Sequence, residues 1–148
     1  MKIAVAADHA GFPLKDFIIE VVKSLGHEAI DLGTYSTEAV DYPDYARAVA
    51  NDLRAGNAER GILVCGSGVG ACIAANKFDG IRAGTCHDHF SAHQCVEDDA
   101  ANVLCLGARI IGQSVASEIV KAFLAARFSK AERHQRRLDK VMAIEAGR

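Results

Sequence analysis

The stretch Cys65-Gly66-Ser67-Gly68-Val69-Gly70 places a thiol, a hydroxyl and three glycines within six residues. Alternating glycines between a strand and a helix let successive backbone N–H groups face one point, which makes a cradle for an anion. One glycine suffices for a tight turn, so three point to a ligand approaching the backbone rather than to packing alone. Near a helix N-terminus a thiol, with a pKa of about 8.5 when unperturbed, ionises more easily. Cys65 is therefore a candidate general base. The amides of Gly66, Ser67, Gly68, Val69 and Gly70 would steady developing negative charge beside it. The competing reading is a buried structural thiol, and that is the role expected of Cys72, Cys86, Cys95 and Cys105.

Other groups invite narrower readings. Asp8-His9 could be a catalytic or hydroxyl-binding pair, or Asp8 could simply cap the helix that follows. Gly66 to Ala71 fits G-x-G-x-x-A with Asp88 about 20 residues on, the outline of a dinucleotide site. It follows the third strand rather than the first, however, and the chain leaves no room for a separate catalytic domain. In Cys86-His87-Asp88-His89 with His93, the last two histidines lie one helical turn apart and could share a metal ion. No second ligand pair of recognised spacing supports them, so no metal and no other cofactor is expected. Arg133 and Arg137 are also one turn apart. They form a solvated helix face or a pair of guanidinium forks able to close on one phosphate ester. A nucleic-acid track would interleave aromatics, which this segment lacks.

The elements that must hold these groups are legible as short apolar runs alternating with amphipathic segments, the pattern of repeated βαβ units. Strands are expected at 2–7, 28–32, 61–65, 81–86 and 103–106, each nearly all apolar as parallel strands covered on both faces are. Helices are expected at 11–25, 41–55, 69–76, 90–98 and 113–126 by their 3.6-residue spacing and their stops. A last helix over 130–145 carries Leu138, Val141, Met142 and Ile144 on one side, a stripe that needs a partner. In an open parallel sheet, ligands bind at the carboxyl ends of the strands. Asp8-His9, Cys65-Gly70, His87-Asp88 and Arg109 all fall at such ends.

The 148 residues, 50% apolar, carry 17 Lys and Arg against 19 Asp and Glu, a formal charge of -2. This describes one ordinary domain, residues 1–148, without the basic footprint of a nucleic-acid binder. The N-terminal apolar run is too short for a signal peptide or a membrane span, so a cytoplasmic protein away from membranes is expected. Five cysteines without a C-x-x-C pair indicate reduced thiols rather than a disulfide framework.

Taken together, Asp8-His9-Ala10-Gly11, Asp41-Tyr42-Pro43, Cys65 to Gly70, Ala74-Ala75-Asn76-Lys77, Asn102-Val103-Leu104 and Arg133-His134-Gln135-Arg136-Arg137 resemble the ribose-5-phosphate isomerase B family end to end. That family includes galactose-6-phosphate and allose-6-phosphate isomerases. The resemblance implies a Rossmann-like α/β fold of three layers with a five-stranded parallel sheet, and a metal-independent aldose–ketose isomerase working through a cis-enediolate. It implies Cys65 as the base between C1 and C2, Ser67 as a helper at the oxygens, His9, Arg109, Arg133 and Arg137 around the phosphate, and Asp8 and Tyr42 on the sugar. It also implies a homodimer or homotetramer, with active sites between subunits and the C-terminal helix crossing to the partner. One departure stands out. Where many members carry His-Asn, the histidine opening the furanose ring, this chain has Asp98-Asp99. Asp98 could transfer that proton, His134 or His9 could replace it, or the substrate could be a four-carbon sugar phosphate that cannot close a furanose. Isomerisation of ribose 5-phosphate to ribulose 5-phosphate is the first expectation. Another sugar phosphate is the alternative, and a receiver-like regulatory domain is the non-enzymatic one, although that would need an Asp where Cys65 stands.

Overall fold

The apolar runs form five strands: β1 (Lys2–Ala7), β2 (Glu28–Asp31), β3 (Arg60–Cys65), β4 (Ala83–Thr85) and β5 (Val103–Gly107). They are seen in a computed structural model that describes residues 1–147. The sheet order is β2-β1-β3-β5-β4 and every neighbouring pair is parallel. The three central strands are buried on both faces, which is why their sequences read as unbroken apolar runs rather than alternating ones.

Helices α1 (Phe12–Ser24), α2 (Tyr42–Arg54), α3 (Val69–Ala75), α4 (His89–Asp99) and α5 (Gln113–Ala125) flank the sheet, and α6 (Glu132–Ala146) follows them. Ile18 and Val22 of α1 join Ile119 and Phe123 of α5 over Ile3, Val5, Ile62 and Leu104. On the opposite face Val49 and Ala50 of α2 and Ala71 and Ala75 of α3 cover Ala4, Leu63 and Val103. The result is the expected three-layer α/β fold. From β1 the chain steps outward to β2 and then crosses back over β1 to β3, so the direction of winding reverses between β1 and β3. A crevice opens at that reversal, above the carboxyl ends of the two strands.

The expected fourth strand, 81–86, is shorter than its apolar run. The side chain of Asn76 brackets Ala83, accepting its N–H at 2.8 Å and donating to its carbonyl at 2.9 Å. The outer edge of β4 is thereby closed by an amide rather than by another strand. Arg82 donates its own N–H to the Asn102 side chain at 2.8 Å rather than to a backbone carbonyl, while its carbonyl accepts the Asn102 N–H at 2.9 Å. α6 packs along α4 with His134 buried, while Val141 and Ile144 remain 51% and 74% exposed. Among the described residues no helix is long and apolar enough to cross a membrane.

Candidate active site

Strands β1, β3 and β5 deliver their C-terminal loops to one cleft of about 390 Å³, walled by Asp8, His9, Tyr42, Cys65, Ser67 and Arg109. Cys65 ends β3, is 5% exposed and is one of the residues lining the cleft. Gly68 donates its N–H to the Cys65 sulfur at 2.9 Å, so a backbone dipole complements negative charge there. This contact needs the left-handed conformation of Gly68, φ +83°, where an L side chain would be strained and would press on the Leu106 backbone. Val69 donates to the Ser67 hydroxyl at 3.3 Å. Among the described residues the amides of Gly66, Ser67 and Gly70 have no acceptor, so of the expected anion cradle these three are the ones left for a ligand.

The β1 loop is fixed from both sides. Asp8 is 7% exposed and its Oδ1 accepts the N–H groups of Ala10 at 3.0 Å and Gly11 at 2.9 Å, which makes it the cap of the approach to α1. Its position on the cleft wall leaves a sugar-binding role open as well. His9 Nδ1 lies 3.1 Å from the Val40 nitrogen and 3.2 Å from the Val40 carbonyl oxygen, so the ring is tethered to that backbone group on one side. Arg109 lies over Gly66: a Cβ added there would stand 3.3 Å from Nη1. Tyr42, the first residue of α2, lays its ring on Gly70, where a Cβ would fall 2.8 Å from Cζ. The sequence patterns did not foretell the Val40 tether, the Tyr42–Gly70 contact or Ile110 in the wall. None of these has a motif, because each joins segments far apart in the chain.

Four expected site residues are not brought to this cleft within one chain. Asp98 accepts from Gln94 at 2.8 Å and lies 3.4 Å from Nδ1 of the buried His134, which Ser129 also contacts at 2.7 Å. Asp99 and Arg137 line a separate groove of about 410 Å³ with Arg82, Leu138 and Val141. Arg133 is exposed on α6. The dinucleotide outline fails on its acid, since both oxygens of Asp88 are taken by Ser91 at 2.8 Å as the cap of α4. His93 pairs with Glu97 at 2.9 Å, and among the described residues no three His, Cys, Asp or Glu side chains gather as metal ligands.

The remaining thiols differ from one another. Hydrogen bonds from Cys105 and, less strongly, from Thr85 bring the half-buried Cys72 down to about 6 against the opposing effect of burial. Cys105 itself is pushed well up by its bond to Cys72 and by burial. In the thiol form Cys72 donates to the Ala83 carbonyl, 3.3 Å away.

With a cysteine, an amide cradle and an arginine converging on the switch point of a parallel sheet, relatives of known activity become informative. The Ribose/Galactose Isomerase family model matches residues 3–141. The chain belongs to this isomerase family. It is 46% identical to the ribose-5-phosphate isomerase B of Escherichia coli K12 over 99% of this chain and 98% of that one. It is 43% identical to a D-erythrulose-4-phosphate isomerase of Pectobacterium atrosepticum over 86% and 85%. The Mycoplasma genitalium ribose-5-phosphate isomerase B with bound ribulose-5-phosphate superposes with a TM-score of 0.91 at 41% identity, covering 98% of this chain and 96% of that one. The chain is therefore an aldose–ketose isomerase of this family.

Proposed function

We propose that the protein interconverts D-ribose 5-phosphate and D-ribulose 5-phosphate through a cis-enediolate. The thiolate of Cys65 takes the C2 proton of the open-chain aldose, and the resulting thiol, after exchange with solvent, delivers a proton to C1, while the Ser67 hydroxyl moves a proton between O1 and O2. Negative charge on the enediolate falls to the uncommitted amides of Gly66, Ser67 and Gly70. Arg109 and His9 hold the phosphate; Asp8 and Tyr42 face the sugar. The observation that carries this reading is Cys65 among the residues lining the cleft, with its sulfur 2.9 Å from the Gly68 N–H. General-base and oxyanion contributions are each worth roughly 10²–10³-fold, enough to give such a site most of its rate.

In this reading a second copy of the chain completes the phosphate site with Arg133 and Arg137 and brings Asp98 and Asp99 toward the sugar. The exposed Val141 and Ile144, beside the half-buried Leu138 and Met142, support a homodimer or dimer of dimers, since an uncovered apolar helix face needs a partner. The pathway role is carbohydrate metabolism in the non-oxidative pentose phosphate branch, in the cytoplasm.

A four-carbon substrate is the second reading. It is favoured by Asp98-Asp99 in place of a ring-opening histidine and by the 43% identity to the erythrulose-4-phosphate isomerase. Steady-state kcat/KM for ribose 5-phosphate, allose 6-phosphate, galactose 6-phosphate and erythrose 4-phosphate separates them. The ribose ester should be preferred by at least about tenfold, a difference of one well-placed contact. Preference for the four-carbon ester would replace the first reading by the second.

A further inference from the structure

β4 ends at Thr85, opposite Cys105, while β5 runs two residues further to Gly107. In a parallel ladder the N–H of Gly107 would donate to the next β4 carbonyl. It donates instead to Nε2 of His87, at 2.9 Å. A ring nitrogen accepts only without its proton, so His87 is here the tautomer protonated at Nδ1. Burial draws its pKa below the ordinary imidazole value, against the smaller opposing pull of Asp88, so the accepting form prevails at neutral pH.

Several parts of the site hang from Gly107. Its carbonyl accepts the N–H groups of Ile110 at 2.9 Å and Ile111 at 3.2 Å, closing the turn that carries Arg109. The next two residues tie that turn to β3: Ala108 donates to the Cys65 carbonyl at 2.8 Å and Arg109 to the Gly66 carbonyl at 3.1 Å. Ser67 packs so closely that a Cβ on Gly107 would lie 2.8 Å from Ser67 Cα. We propose that His87 is a positioning residue for the isomerase site: by accepting the Gly107 N–H it sets the height of the Arg109 turn against the Cys65–Ser67 loop. His87 is not part of the cleft wall and acts only through Gly107. The effect on catalysis rests on the function proposed above, whereas the effect on the turn does not.

His87→Gln keeps an acceptor near the position of Nε2, and His87→Leu keeps bulk without one. Both variants and the wild type are assayed with ribose 5-phosphate, and amide hydrogen exchange is followed across residues 107–111. The leucine variant should lose about tenfold to hundredfold in kcat/KM, as catalytic groups displaced by about 1 Å do. Its Gly107–Ile111 amides should exchange faster, and glutamine should restore both activity and protection. Wild-type kcat/KM and unchanged protection in the leucine variant would overturn the proposal, as would a folded glutamine variant as impaired as leucine. If the wild type turns over none of the sugar phosphates, the functional reading fails, and the exchange pattern alone decides whether His87 holds the turn.

Discussion

Replacing Gly70 by alanine separates the site from the scaffold. Gly70 is the second residue of α3 with no positive φ, so alanine fits the backbone and gains about 0.5–1 kcal/mol of helix preference. The obstacle is Tyr42: the new Cβ would stand 2.8–3.1 Å from three atoms of its ring. Carbon atoms settle at about 3.5–4.0 Å, so the ring must retreat by about 1 Å. At 42% exposure the ring can swing toward solvent at small cost, which leaves the net change in stability near zero. At the cleft wall, however, a shift of about 1 Å is worth up to about a hundredfold in rate. We expect the variant to melt within about 3 °C of the wild type, corresponding to less than 1 kcal/mol, while kcat/KM for ribose 5-phosphate drops by tenfold or more. Combining it with Tyr42→Ala should cost no more than Tyr42→Ala alone, because both act through one ring. Unaltered kcat/KM in a folded Gly70→Ala protein would refute a role for Tyr42 in the wall. A large fall in melting temperature would show that the ring cannot move as argued.

Other outcomes follow from the scaffold and from the thiols. Lys15 is fully buried and its Nζ meets both oxygens of Asp31, at 2.6 and 2.9 Å, beneath the Tyr35 ring. Lys15→Met leaves that carboxylate partly buried without its cation, so urea denaturation should register a loss of about 2–3 kcal/mol. Wild-type stability would mean that Asp31 is satisfied by water. Cys72, held near 6, is mostly thiolate at pH 7.5 and loses that form as pH falls through 6. Iodoacetamide with peptide mapping should therefore label Cys72 at a rate that declines below pH 6, while the buried Cys105, raised well above the usual thiol range, stays unlabelled. Equal labelling of the two would contradict the hydrogen-bond assignment.

The parts of this protein readable from sequence are those whose cause is local. The glycine spacing of 66–70 announces a backbone approach wherever it stands, and the uninterrupted apolar character of β1, β3 and β5 follows from burial on two faces. The shortening of β4 is not local, because it depends on the Asn76 amide closing the edge at Ala83. The His87 acceptor escapes for the same reason: a side chain standing in for a carbonyl leaves no periodicity. Arg133 and Arg137 were recognisable as a guanidinium pair by their one-turn spacing. Their distance from Cys65 within the chain was not, since the same spacing arises on a helix beside the cleft and on one that packs along α4.

The chemistry proposed for Cys65 is tested most directly by carrying out the reaction in D₂O and following the C2 hydrogen of ribose 5-phosphate by NMR in the wild type and in Cys65→Ala. The wild type should form ribulose 5-phosphate with solvent deuterium entering at C1. The alanine variant, folded and still binding the phosphate ester, should lose C2–H cleavage by at least about 10³-fold. C2–H cleavage at the wild-type rate without the sulfur would contradict the account.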